Sequence, residues 1–186
     1  MNKTILEIKA KIKRECYEAG HMKPWFYDKH LLGVEKWAKF LLTKLPRADK
    51  EVVFLGVWLH DLHRIRGLKG DHQKAGAQEA KKVMQGYGYP DETIKKVQAI
   101  ILTHACDGAM PKTLEGRILA SADAMAHYIN DFYLQIAVTG QRSVAEYKEW
   151  CLEKLKRDYS KKISFPFARQ AIKDRHDALM KVFTMK

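Results

Sequence analysis

Apolar residues recur along almost the whole chain at spacings of three and four, the period of an amphipathic α-helix, and the alternation of a half-buried strand is nearly absent. Ile5, Ile8, Ile12 and Cys16 mark one face of a first helix, which Gly20 would end. A second helix is predicted from about Pro24 to Leu45, with Tyr27, His30, Val34, Trp37 and Leu41 on one stripe. Asp49 or a neighbour starts a third that reaches about Ile65 and is apolar nearly all round, as a central buried helix is. Gly67 and Gly70 break it, Asp71 is placed to cap a fourth helix ending near the GYGYP turn, and Asp91 is placed to cap a fifth. After the CDGAMP loop a long helix is expected from about Leu114 to Val138, followed by two more near 142–162 and 166–184. The pattern predicts an all-α fold, a single compact bundle of about seven to eight helices over residues 1–186, with 141–186 as a C-terminal helical cover.

Several His and Asp residues fall where this pattern calls for core. His30 sits inside the stripe of the second helix, and His60 and Asp61 stand side by side at the end of the apolar run VVFLGVWL. His104 continues the Ile94, Val97, Ile101 series, Asp123 lies in the apolar segment ILASADAMA, and His72 follows the fourth helix's cap. Each alone is most simply a hydrogen-bonded core residue; Asp123, for example, can pair with His127 one turn on. The doublet is harder to satisfy that way, because an ionised carboxylate in apolar surroundings is costly unless paired or metal-bound. Mixed imidazole and carboxylate donors converging in one cavity are what borderline-hard divalent metals bind.

Composition narrows the partners. Lys and Arg number 34 against 22 Asp and Glu, a formal charge of +12, which favours anionic ligands such as nucleotides, phosphoesters or nucleic acid. The three cysteines, Cys16, Cys106 and Cys151, are far apart and form no CxxC pair, which argues against a disulfide framework or zinc knuckle and fits a reducing compartment. No signal-like segment or membrane-length apolar run occurs, so a soluble, cytoplasmic protein is expected. The basic cluster KLKRDYSKK, residues 154–162, reads as a solvated helix face.

His30, then His60-Asp61, then Asp123 in a helix reading ASADAM, resembles the H…HD…D signature of the HD-domain superfamily of metal-dependent phosphohydrolases, over about residues 24–130. The resemblance implies that His30, His60, Asp61 and Asp123 hold a divalent metal (Mn, Fe, Ni, Co, Zn or Mg). DHQKAGAQEA and IILTHACDG are similar to segments in which family members carry further histidines, so His72 and His104 could complete a second metal site or face the substrate phosphate. The GYP motif that follows the paired histidines of cyclic-dinucleotide-cleaving members does not follow His104 here.

On that basis the expected activity is cleavage of a phosphoester or phosphoanhydride bond, in a nucleotide or another small phosphorylated substrate, by metal-activated water. Asp61 would orient or deprotonate the water, and His104 or His72 would donate to the leaving group. Arg64, three residues after Asp61, is the leading phosphate clamp, with Lys69 a further substrate-binding candidate. Two other classes remain open: a di-iron oxygenase, from which the short Asp61–His72 gap departs, and a noncatalytic nucleic-acid-binding or regulatory module using the positive charge.

Overall fold

The computed structural model describes residues 2–18, 24–128 and 131–185, and every regular element in them is helical. Helix α1 is Lys3–Glu18, with Ile5, Ile8, Ile12 and Cys16 buried as one stripe; its expected terminator, Gly20, lies outside the described residues. A π-helical segment, Phe26–Leu31, runs directly into α2, Leu32–Lys44. Next come α3, Lys50–Leu59, and a single turn, α4, Leu62–Ile65. They are followed by α5, His72–Gly86, α6, Asp91–Thr103, and α7, Leu114–Ala126. The last part holds α8, Phe132–Thr139, α9, Val144–Arg157, a second π-helical segment, Asp158–Lys162, and α10, Pro166–Thr184.

Local chemistry sets most of these boundaries. The Asp49 carboxylate accepts from the backbone N–H groups of Glu51 and Val52, and Asp71 accepts from Gln73 and Lys74, so both act as N-caps. Ser143 and Glu146 form a capping box at the start of α9. Asp91 does not cap α6: Pro90 occupies the cap position, and Asp91 is the first helical residue, where its charge still favours the helix N-terminus.

Two expected helices are divided. The third breaks at the His60-Asp61 doublet, where Asp61 leaves helical geometry at φ −107°, ψ 20°. The sixth ends at Ala126 with His127 as its C-cap, and α8 begins only at Phe132. Nine helices of eight residues or more result among the described residues, against seven to eight expected.

Helix α3 is the centre of the packing and meets α1, α2, α5, α6 and α7. Every residue from Val52 to Leu59 is buried, each large apolar side chain contributing about 1.5–3 kcal/mol by leaving water. Gly56 lets α6 approach closely, since a Cβ there would lie 2.6 Å from Ile100 Cδ1. Gly76 does the same for α5 against the doublet, its Cβ position being 3.1 Å from the His60 carbonyl oxygen. Arg66 fastens the turn after the doublet, donating to Glu15 of α1 and Glu79 of α5. Among the described residues no helix is long and apolar enough to cross a membrane.

Candidate metal centre

Packing of α3 and α7 with the π-helical segment before α2 brings His30, His60, Asp61 and Asp123 together, all buried. His30 Nε2 lies 3.4 Å from both Asp61 Oδ2 and Asp123 Oδ1. His60 Nε2 lies 3.4 Å from Asp61 Oδ2 and 3.8 Å from Asp123 Oδ1. Metal–ligand bonds of ~2.0–2.2 Å put neighbouring donor atoms ~3–3.6 Å apart, so these spacings are close to those of a shared cation.

The protonation pattern points the same way. His60 Nδ1 is 3.0 Å from the Val57 carbonyl oxygen, and His104 Nδ1 is 2.6 Å from that of Ile101. A carbonyl only accepts, so in each ring Nδ1 carries the hydrogen and Nε2 is left as the lone-pair donor that metals use. His60 Nε2 and both ring nitrogens of His30 are buried without a hydrogen-bond partner. Burial opposes ionisation of Asp61, yet His60, His30 and Arg64 hold its carboxyl well below the usual range. Burial likewise opposes Asp123, and Lys162, His127 and His30 overcome it. Burial should also depress His60, but the charges of Asp61 and Asp123 raise it: without a metal the two carboxylates draw a proton to Nε2, the position that a metal ion would take in its place. Orphaned imidazole nitrogens facing two ionised carboxylates fit a divalent metal.

Among the described residues, two groups of side chains present donor atoms within 4.8 Å of one another: His30, His60 and Asp61, and His30, Asp123 and His127. Neither includes His72 or His104. Both of those still line the cavity of about 360 Å³ that opens from the centre, together with Arg64, Asp107, Arg157 and Lys162. Burial and the neighbouring His60 push the His104 pKa down to about 4. In the neutral ring, with Nδ1 engaged, His104 offers an acceptor nitrogen to the cavity. His72 is half-buried, and burial and Arg64 push its pKa down. Arg64 is half exposed and donates Nε to Asp61 Oδ1 at 3.2 Å. Lys69 is exposed and does not line the cavity. His63 stands 6.3 Å from His72, ring to ring, with both nitrogens buried and unpartnered.

The KLKRDYSKK cluster is a solvated face only in part: Lys156, Ser160 and Lys161 are exposed. Lys154, Asp158 and Lys162 are buried, and their side chains reach the centre from α9 and the second π-helical segment. Lys162 Nζ is 2.6 Å from Asp123 Oδ2, Lys154 Nζ is 2.8 Å from Asp158 Oδ2, and His127 Nδ1 is 3.1 Å from the same Asp158 oxygen. Burial would depress Lys162, but Asp123 and Asp158 raise it; burial does depress Lys154, and Asp158 is held low, against burial, by Lys154, His127 and Lys162. The available signal was spacing: Cys151, Lys154, Leu155, Asp158 and Lys162 form one helical stripe in which polar residues alternate with buried apolar ones. The cavity also has an apolar side, built from Trp25, Phe26, Phe132, Ile136 and Trp150, which no motif announced.

The model of the HD domain family matches residues 27–127, and the chain belongs to that family. The fold is shared with a solved HD-superfamily hydrolase from Bacillus thuringiensis, at a TM-score of 0.68 and 16% identity, over 97% of this chain and 93% of that one. No curated protein matches the sequence significantly.

Proposed function

We propose that this protein is a metal-dependent phosphohydrolase that cleaves a phosphoester or phosphoanhydride bond of a small phosphorylated substrate, a nucleotide foremost. The observation that carries this reading is the orphaned Nε2 atoms of His30 and His60 facing the carboxylates of Asp61 and Asp123 at the base of a cavity edged by Arg64, Arg157 and Lys162. When bound to these four side chains, a divalent ion supplies Lewis acidity and lowers the pKa of coordinated water from ~15.7 toward ~7. The protein's own groups do the rest. Arg64 lines the cavity with its side chain half exposed, and its guanidinium is available to phosphate oxygens. Asp61, with one oxygen toward the histidines and the other on Arg64, links the nucleophile side of the site to the phosphate side. His104 offers a neutral Nε2 that can accept a proton from water. Trp25, Phe132 and Trp150 give a planar apolar moiety such as a nucleobase a wall to lie against.

Burial of Lys154 and Lys162 weakens the sequence support for a nucleic-acid module, because these two lysines are engaged by carboxylates inside the protein. Phosphate release from nucleoside mono-, di- and triphosphates, measured with manganese, cobalt, nickel, iron or magnesium, tests the proposal. Metal-dependent release lost in Asp61→Ala is the expected result. Stoichiometric iron with oxygen-dependent turnover and no phosphate release would replace it with an oxygenase.

A further inference from the structure

His127 stands one turn after Asp123 as the C-cap of α7 and is buried, 5% exposed. Its ring lies nearly parallel to His30, 8° apart in plane and 5.4 Å between centroids, and its Nε2 is 3.6 Å from Asp123 Oδ1. Its Nδ1 meets Asp158 Oδ2, the oxygen that also accepts from Lys154 Nζ. An ionised Asp158 can only accept, so Nδ1 carries the hydrogen and Nε2 is a lone pair. In the neutral ring that lone pair faces the Asp123 oxygen, itself an acceptor, so only a cation, a metal ion or a second proton, fits between them. A cation resolves the conflict.

We propose that His127 is a fifth side chain of the metal centre, ligating through Nε2 and oriented by Asp158 and Lys154, beyond the His30, His60, Asp61 and Asp123 set. The inference rests on the metal-dependent reading above. Lys154–Asp158–His127 reproduces the carboxylate-to-imidazole arrangement that fixes the tautomer and direction of metal-binding histidines. Lys162 complements it by engaging Asp123 Oδ2, which leaves Oδ1 as the oxygen facing His30, His60 and His127.

The test uses full-length protein with its eight histidines labelled with nitrogen-15, titrated with zinc and followed through the imidazole nitrogen shifts. The expected result is a zinc-shifted Nε2 that belongs to His127, together with zinc affinity lowered ~10–100-fold in His127→Gln. If that variant does not fold, the signal is assigned in wild type by its persistence in His21→Gln, His63→Gln, His72→Gln, His104→Gln and His176→Gln, which leaves only His30, His60 and His127 as sources of three shifted rings. Two shifted rings, or unchanged zinc affinity in folded His127→Gln, would overturn the assignment of His127 and leave the metal-dependent reading standing. Wild type that binds no divalent metal would overturn both.

Discussion

Lys162 Nζ and Asp123 Oδ2 are 2.6 Å apart with both side chains buried, so a residue from the end of the chain's second π-helical segment holds a carboxylate from the last turn of α7. Removing one partner of such a pair leaves the other charged and unpaired in the interior. Lys162→Met is expected to lower the unfolding free energy of metal-free protein by about 3–5 kcal/mol, read by urea denaturation. Bound metal should recover part of the loss, because it would neutralise the same carboxylate.

His60→Ala takes away a donor facing Asp61 and Asp123, and Asp61→Ala one facing His30 and His60. Metal content of protein purified without chelator should fall from stoichiometric to near zero in both. Retention of full occupancy in either variant would remove that side chain from the centre.

Arg64 and Lys69 are separated by the structure although they are neighbours in sequence: Arg64 lines the cavity and Lys69 does not. Arg64→Ala is expected to lower kcat/KM for a phosphorylated substrate by ~10–100-fold, as loss of a charge-assisted hydrogen bond of ~1.5–3 kcal/mol implies. Lys69→Ala should stay within twofold of wild type in the same steady-state assay.

Acid should destabilise the metal-free protein early. The His104 pKa is about 4 and that of His127 about 3, both well under the ordinary 6.5. Below about 6.5 the unfolded chain binds protons at these two positions and the folded chain does not, so their contribution is complete above that pH and is lost as pH falls toward 4. His60, with a raised pKa, acts in the opposite sense and reduces the loss. The melting temperature in chelator should therefore fall between pH 6.5 and 4.5, before the carboxylates titrate, and fall less in His127→Asn.

Gly76 holds α5 against the backbone of the doublet. Gly76→Val forces side-chain atoms toward the His60 carbonyl oxygen, and overpacking of this kind costs about 1–3 kcal/mol. Thermal unfolding should register the loss, and zinc affinity should fall with it although Gly76 offers no ligand atom.

The buried stripes of α1, α5 and α6 follow the three-and-four spacing of their apolar residues, and Asp49 and Asp71 cap as their positions before apolar runs suggest. The divided helices were less legible. His60 and Asp61 satisfy helical periodicity, and the backbone nevertheless turns there, with His60 capping α3 and Asp61 outside helical geometry. Periodicity reports which face a residue would occupy, and it is insensitive to a local break that preserves the face.

The sequence by itself determined the all-helical class and the inward placement of His30, His60, His104 and Asp123, because a polar residue on an apolar stripe is visible at short range. Only the tertiary structure decided which of these meet. It drew His30 toward Asp61 and Asp123, left His72 and His104 outside the close donor groups, and turned Lys154, Asp158 and Lys162 inward from a segment whose composition reads as surface. The reason is electrostatic. A lysine's position relative to water depends on whether a distant segment delivers a carboxylate to it, and here Asp123 meets Lys162 across 39 residues of chain.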